Sequence, residues 1–254
     1  MKSNYVEYCN YWLYQNNTII IKYNFDKDIN LINIGSNIIS LIFTNHSKIK
    51  YIINCLDDNN YNMNNNTDSN FNQKVNNLPQ TLLTLIFGNN FNQEVNNLPT
   101  FLLNLTFGDD FDQPVDNLPT NLINLIFGCC FDQPVDNLPH GILNLIFNDE
   151  FDQPVDNLPN SLKNITFGCC FNYSVDNLPK SLITINFISP CILYKFYRFN
   201  KELNYLPDSV YEIKLPNNYK EIKHLPKKLK KIYCSHLYEF IDNLYRDDIQ
   251  IVNI

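Results

Sequence analysis

The chain has 254 residues, 44% of them hydrophobic, and a net charge of −7. This length and apolar content suffice for one domain with a hydrophobic core and exclude a disordered polymer. No apolar run reaches the roughly 18 residues of a membrane-spanning helix, and residues 1–17 lack the features of a signal peptide. We therefore expect an intracellular, cytoplasmic protein without membrane contact and with reduced cysteines.

The charge is unevenly distributed along the chain. Residues 71–190 carry three basic and twelve acidic side chains, a net charge of −9, whereas residues 191–254 carry eleven basic and eight acidic side chains, a net charge of +3. An acidic middle excludes general nucleic-acid binding by that part.

An internal repeat of 20 residues dominates the sequence. Six copies align without a gap over residues 71–190, with the pattern F-[ND]-Q-x-V-[ND]-N-L-P-x-x-L-x-[NT]-[LI]-x-F-G-x-x. Because one copy cannot bury its own apolar face, we expect residues 18–254 to form one domain. In chain order, the prediction is an N-terminal cap at 1–17, degenerate repeats at 18–56, an Asn-rich loop at 57–70, the regular repeats at 71–190 and degenerate repeats at 199–254.

Each repeat unit predicts one short strand. In LINLIF at 122–127, β-forming residues put Leu125 and Phe127 on one face. The preceding Leu-Pro favours an extended backbone, and Gly128 is expected to permit the turn after the strand. The remaining FDQPVDN is too short and too rich in Pro, Asn and Asp for a helix. One unit is therefore one coil of a solenoid.

Stacked coils place equal positions in columns about 4.8 Å apart. Six columns are apolar and predict a continuous core. They are the columns that begin at Phe71, Val75, Leu78, Leu82, Leu85 and Phe87 and recur every 20 residues.

The unit resembles known repeats. LINLIFGCC at 122–130 resembles the leucine-rich-repeat signature L-x-x-L-x-L-x-x-[NC]. The full unit, with FNQ or FDQP followed by V-x-N-L-P, is similar to the FNIP repeat, a relative of leucine-rich repeats found in social amoebae and in giant DNA viruses of amoebae. The resemblance covers about 25–254, with Gln-Pro in place of the family's Ile-Pro at 113–114, 133–134 and 153–154.

The resemblance carries expectations about fold and function. It implies a mainly β, right-handed, leucine-rich-repeat-like solenoid, with short parallel strands on the concave face, extended and turn segments on the convex face, and few or no helices. It implies a protein-interaction role, no catalytic activity and no cofactor, and host cytoplasm as the location if the protein is viral. Related viral proteins often carry an F-box ahead of the repeats, for which the roughly seventeen residues before the first strand are too few.

In this geometry two columns beside the central strand residue are expected to point outward. They supply the candidate concave binding face. The first column is Thr84, Asn104, Asn124, Asn144, Asn164 and Thr184, and the second is Ile86, Thr106, Ile126, Ile146, Thr166 and Asn186. The residues suit strands and stacked ladders on their own account, and the uncharged surface also suits a protein partner.

Charged columns allow a binding or a structural interpretation. Asp112, Asp132 and Asp152 form one column and the column from Asp116 to Asp176 another; stacked carboxylates suit Ca²⁺, but repulsion and the absence of a calcium β-roll motif favour solvated turn residues. The lysines of 220–234 are expected on a solvated outer face, with contact to an acidic partner as the alternative.

Paired cysteines occur at 129–130 and 169–170. The pairs are two coils and about 10 Å apart, too far for a disulfide between them. A zinc site would have to reach across the intervening coil without a C-x₂-C spacing. We therefore interpret these cysteines as turn residues and expect no metal.

The leading function hypothesis is a non-enzymatic repeat scaffold with an unidentified protein partner. No phosphate loop, metalloprotease helix or nucleophile elbow occurs, and the four histidines are scattered. The alternatives are a structural or self-associating repeat protein without a dedicated partner, and a ubiquitin-ligase substrate adaptor that lacks its F-box. The sequence leaves the oligomeric state open.

Overall fold

The computed structural model describes residues 5–7, 11–14, 17–21, 38–43, 69–187, 197–216, 219, 222, 224–234 and 246–253. Every regular element in these ranges is a strand, as the repeat predicted. Most of the Asn-rich loop, residues 57–68, lies outside the described residues, as do parts of the degenerate repeats. The strands are β1 (Tyr5–Glu7), β2 (Tyr11–Tyr14), β3 (Thr18–Ile21), β4 (Ser40–Phe43), β5 (Thr84–Ile86), β6 (Asn104–Thr106), β7 (Asn124–Ile126), β8 (Asn144–Ile146), β9 (Asn164–Thr166), β10 (Thr184–Asn186), β11 (Glu212–Lys214), β12 (Lys231–Cys234) and β13 (Gln250–Asn253).

The thirteen strands form one sheet in chain order. β3 to β13 pair in parallel, whereas β1, β2 and β3 pair antiparallel. The parallel register follows the repeat, so that Leu105 pairs with Leu125 and Leu125 with Leu145. The antiparallel strands lie within and directly after the predicted cap at 1–17, whose boundaries stay a prediction.

A turn before each strand is built on the repeated proline. In the regular coils the proline carbonyl accepts a hydrogen bond from the leucine amide three residues later, as from Leu122 to Pro119 at 3.3 Å. The amide of the phenylalanine that follows each strand bonds the next coil, as Phe127 does to the carbonyl of Ile146 at 2.9 Å. Thus hydrogen bonds between coils extend beyond the three residues of each strand.

The six predicted core columns are all buried, with no member of the regular repeats more than 7% exposed. Two of them are stacked phenylalanine columns. Rings that meet at a coil junction lie face to face, as do Phe127 and Phe131 with centroids 3.7 Å apart. The column that begins at Phe71 continues through Phe199 to Tyr219, and the ring centroids of these last two residues are 5.8 Å apart.

The spacing of the rings shows that the strands lie on the inner side of a curve. Paired strands are about 4.8 Å apart. The centroids of Phe87, Phe107 and Phe127, which directly follow their strands, are 5.6–5.7 Å apart. The outer rings of Phe91 and Phe111 are 6.2 Å apart. Because the coils spread with distance from the sheet, the strand face is concave.

Glycine after the strand has a different role from the one predicted. None of the described glycines has a positive φ, so the turn itself does not require one. A Cβ at Gly128 would lie 1.9 Å from the carbonyl oxygen of Gly108. Glycine at this position therefore suits the close approach of adjacent coils rather than a positive φ. Asn148 occupies the equivalent position in the next coil and donates its side-chain amide to the carbonyl of Phe127 at 2.8 Å.

Candidate functional site

The structure brings the twelve predicted binding-face residues together on the concave surface of β5–β10. They form two rows that flank the buried central residues Leu85, Leu105, Leu125, Leu145, Ile165 and Ile185. Equal positions pair directly, such as Asn124 with Asn144 and Ile126 with Ile146. Each row therefore stacks equivalent positions of the repeat at the strand spacing, with Thr and Asn in the first row and Ile, Thr and Asn in the second.

The first row is an amide ladder. Asn104 donates from Nδ2 to Oγ1 of Thr84 at 3.1 Å, and Asn124 donates to Oδ1 of Asn104 at 2.6 Å. Asn144 donates to Asn124 at 2.5 Å, and Asn164 to Asn144 at 2.6 Å. An amide has two N–H donors and an oxygen with two lone pairs. The ladder thus fixes the orientation of Asn144 and Asn164 and directs their further hydrogen-bonding capacity toward the surface.

The prediction that both rows are exposed is wrong at four positions. Ile86 is 1% exposed, Ile126 and Thr84 are each 6% exposed, and Thr106 is 8% exposed. Side chains in register at about 4.8 Å cover one another's flanks on a concave surface, so little more than their tips can reach solvent. The accessible members lie mainly toward β8–β10. Asn104, Asn124, Asn144, Ile146, Thr166, Thr184 and Asn186 are half-buried, and Asn164 is exposed.

Sequence reasoning missed a third row on this surface, formed by the residue directly before each strand. Leu83 is 37% exposed, Leu143 36% and Ile183 43%. Leu103 and Ile123 are half-buried members of the row. The signal was present in the sequence, because this position is apolar in five of the six regular copies yet belongs to none of the six core columns. Lys163 is the sixth copy.

A depression of about 330 Å³ lies in the concave surface between β7 and β9. It involves all three rows, and none of its lining residues is charged. The lining residues are Ile123, Asn124, Asn144, Leu145, Ile146, Asn164 and Thr166. This volume is at the lower end of the range for ligand sites, and the mixture of aliphatic and amide groups suits one or two side chains of a protein partner.

The aspartate column at Asp112, Asp132 and Asp152 connects coils, contrary to the predicted solvated turn role. Oδ1 of Asp132 accepts a hydrogen bond from the Asp152 amide at 2.8 Å and from Nε2 of Gln153 at 3.0 Å. Asn92 does the same for the next coil. The repeated [ND]-Q pair is thus a clip that fastens each coil to the next.

The second aspartate column is exposed, as predicted, and also contacts the next coil. Asp116 accepts the side-chain amide of Asn137 at 3.0 Å, and Asp136 that of Asn157 at 3.0 Å. Within the described residues no three His, Cys, Asp or Glu side chains are grouped so that they could hold a metal.

The paired cysteines are free thiols. Sγ of Cys169 lies 3.7 Å from the carbonyl oxygen of Asp149 and 4.0 Å from Sγ of Cys170. Burial, with the nearby carboxylate of Glu150, raises the pKa of Cys130 to about 11, and burial beside Asp149 also raises the pKa of Cys169. A neutral thiol is a poor nucleophile and metal ligand. These properties support the structural interpretation of the cysteines.

Of the lysines predicted on the outer face of 220–234, Lys220 and Lys223 lie outside the described residues, and Lys230 and Lys231 are half-buried. Lys227 and Lys228 are exposed, whereas Leu229 is buried. Ion pairs join successive coils. Nζ of Lys227 lies 2.5 Å from Oδ2 of Asp208 in the preceding coil. Asp248 lies 2.6 Å from Lys230 and 2.9 Å from Arg246. Hydrogen bonds from Arg246 and Lys230 hold the pKa of Asp248 below its ordinary value.

A curved parallel sheet with stacked core columns and a ladder-lined inner face defines a β-solenoid of the leucine-rich-repeat class. The sequence model of the FNIP Repeat family matches residues 91–130, 131–170 and 155–189. Residues 91–189 of the chain are therefore FNIP repeats.

A solved structure supports the same fold. The crystal structure of CroV588, a novel circular LRR protein from a giant virus, aligns with a TM-score of 0.62 and 25% identity. The alignment covers 90% of this chain and 38% of CroV588, so the chain spans well under half the length of that protein. No curated protein matches the chain in sequence. Among the described residues there is no helix with the length and apolar character to cross a bilayer.

Proposed function

We propose that this solenoid is a non-enzymatic scaffold that binds a protein partner on the concave surface of β7–β10. The observation that carries the proposal is the exposed apolar row beside the amide ladder. Leu143 and Ile183 are each more than a third exposed on a surface with Lys163 as the single charge among its three rows over β5–β10. Exposed apolar side chains on a surface with so few charges are typical of interaction sites.

The amide ladder supports the proposal because it supplies fixed polar groups beside the apolar row. Asn144 and Asn164 are held by their neighbours at 2.5–2.6 Å, so they lose little conformational entropy on binding. The depression between β7 and β9 would accept an apolar side chain flanked by hydrogen-bonding groups. The expected partner surface is therefore uncharged, with one protruding apolar residue.

A face variant tests the proposal. Leu143→Lys, Asn164→Lys and Ile183→Lys together place three charges on exposed or partly exposed positions of this surface. Affinity purification from the native source should recover a stoichiometric partner with the unmodified chain. Recovery should fall by about tenfold or more with the face variant, because charges in the centre of an interface typically cost over 1.4 kcal/mol.

A matched control carries the same number of charges elsewhere. Phe101→Lys, Tyr173→Lys and Tyr205→Lys replace side chains that are 61%, 41% and 70% exposed and lie outside the three rows. The control should retain the partner. Equal recovery with both variants would overturn the concave site, and absence of any stoichiometric partner would favour the structural or self-associating alternative. Recovery of a ubiquitin-ligase core subunit would favour the adaptor alternative.

A further inference from the structure

The concave surface acquires charge where the sheet reaches β11 and β12. The strand register continues the first two rows over these strands. The third row continues because the amide of Tyr211 donates to the carbonyl of Ile183 at 2.8 Å, the bond that also joins its earlier members. The side chains that extend the three rows, called the basic end below, are Glu212, Lys231, Lys214, Tyr233, Tyr211 and Lys230. Over β5–β10 the same rows contain a single charge, Lys163.

Two of these lysines have partners that leave positive charge on the surface. Nζ of Lys214 lies 5.0 Å from the ring centroid of Tyr233, and this aromatic contact does not neutralise the ammonium group. Lys230 lies 2.6 Å from Asp248, but Asp248 also pairs with Arg246 at 2.9 Å. One carboxylate is thus shared between two cations, and this group of three keeps one positive charge.

The third lysine is balanced within the sheet. Lys231 lies directly opposite Glu212 in the strand register, so these two charges offset each other. Lys214 and the group around Asp248 therefore leave a net charge of +2 at the basic end. Tyr211, which is 45% exposed, adds aromatic surface beside it.

The outer side of the solenoid has the opposite charge. Residues 71–190 have a net charge of −9, and none of their acidic side chains belongs to the three concave rows. The column from Asp116 to Asp176 is exposed on the outer turns. A negatively charged group is therefore repelled by the outside of the coils and attracted to the inner surface at β11 and β12.

This difference in charge along the concave surface defines the chemistry of a partner. The inference rests on the protein-binding site proposed above. We propose that the bound segment of the partner is acidic where it crosses β11 and β12, and uncharged with one apolar residue where it crosses the depression at β8. Three to four strand spacings of about 4.8 Å separate the two contacts, and an extended chain rises about 3.4 Å per residue. The acidic residues should therefore lie about four to six positions from the apolar residue.

A peptide matches this surface better than a nucleic acid does. Duplex DNA carries one charge for about every 1.7 Å of its axis, so its phosphates would extend over the uncharged rows as well. Lys163 is the single basic group in those rows over β5–β10. A peptide can confine its carboxylates to one end and place an apolar side chain in the depression.

Selection of phage-displayed random peptides on the unmodified full chain tests the proposal. Peptides of about 12 residues are long enough to span both contacts when extended. The recovered sequences should combine an apolar residue with Asp or Glu about four to six positions away, in excess of the unselected library. Selected peptides without such acidic residues would overturn the inference and leave the proposed concave site in place. Failure to enrich any sequence would overturn both.

Paired charge variants locate the acidic contact. Lys214→Gln with Lys231→Gln removes two half-buried lysines of the basic end, whereas Lys201→Gln with Lys228→Gln removes two exposed lysines outside the three rows. In fluorescence anisotropy, a selected peptide should bind the first variant about fivefold or more weakly and the second within about twofold of the unmodified chain. The same peptide with Gln in place of its acidic residues should not distinguish the two variants.

Three results of the binding assay separate the alternatives. Equal loss of affinity in both double variants would overturn the inference, because it would mean that only the net charge of the chain matters. Binding of a single-stranded oligonucleotide as tight as that of the acidic peptide would also overturn it. An acidic peptide that is weakened by loss of Lys214 and Lys231 but not by the face variant at Leu143, Asn164 and Ile183 would support the acidic contact and overturn the proposed function at β7–β10.

Discussion

Removal of one carboxylate from the centre of the clip column should destabilise the solenoid. Asp132→Ala deletes the Oδ1 that accepts the Asp152 amide at 2.8 Å and the Gln153 amide at 3.0 Å. Asp132→Asn retains an acceptor oxygen at the same place. Asn92 shows that the amide suffices, since its Oδ1 accepts the corresponding bonds at 3.0 and 2.9 Å.

The magnitude follows from the two bonds. In Asp132→Ala the backbone amide of Asp152 has no acceptor from residue 132. Because Asp152 is partly buried, water is a poor substitute for that acceptor. A hydrogen bond to a charged group contributes about 1.5–3 kcal/mol, and a partly exposed side-chain amide contributes less. We expect Asp132→Ala to lower the free energy of unfolding by about 2–3 kcal/mol. Asp132→Asn should change it by less than about 0.5 kcal/mol, because it keeps both bonds and relieves repulsion within the aspartate column.

Urea denaturation followed by circular dichroism measures the difference. Asp136→Ala is the control in the same coil, since this exposed carboxylate accepts a single side-chain amide at 3.0 Å. It should cost at most about 1 kcal/mol. Equal destabilisation by Asp132→Ala and Asp132→Asn would refute the reasoning, because it would mean that charge rather than the acceptor oxygen matters. A change below about 0.5 kcal/mol in Asp132→Ala would refute the clip itself.

Other predictions concern the core, the glycine position, the last coil and the thiols. Phe127→Ala should lower the free energy of unfolding by about 3–5 kcal/mol, because its ring is fully buried between stacked neighbours; a urea midpoint unchanged from the unmodified chain would contradict this. Gly128→Ala should lower the free energy of unfolding by about 1–3 kcal/mol in the same assay, because the added Cβ would lie 1.9 Å from the carbonyl oxygen of Gly108 unless the coils shift. Gly128→Asn should cost less, because Asn148 shows that an amide gains a hydrogen bond at this position. The pKa of Asp248 is lowered by its ion pairs, so its stabilising contribution is present above about pH 4 and is lost as pH falls through the lower folded pKa. Hydrogen-exchange protection of β13 should fall accordingly, and Asp248→Asn should remove this pH dependence. Alkylation of Cys130 by iodoacetamide at pH 8 should be on the order of 100-fold slower than that of a free cysteine, because its pKa is about 11; reaction at the free-thiol rate would contradict the assigned burial.

The fold could be predicted because the repeat fixes the register of the sheet. Once equal positions stack, the strand of each coil follows from its place in the unit, even in the degenerate copies. β11 is an example: it pairs in parallel with β10 although 28 residues separate Thr184 from Glu212. The short motif Leu206-Pro207 before this strand identified the copy from the sequence.

The roles of polar and glycine positions were less predictable, because a column position does not show which neighbour a side chain meets. Asp132 suits a turn within its own coil and a contact with the next coil equally well by residue type. Gly128 suits a positive φ and a close backbone approach equally well. The distance between coils decides both cases, and that distance depends on curvature, which the repeat length does not specify.

The third concave row shows how the same sequence could have predicted more of the candidate site. Six apolar columns already close the core, and every member of these columns in the regular repeats is at most 7% exposed. A seventh apolar column, from Leu83 to Ile183, therefore has no space in the interior of a 20-residue coil. Ile123, a member of this column, lines the depression in the concave surface, which places the column on that side. In a solenoid, apolar columns beyond those that the core can hold identify the surface that is available for a partner.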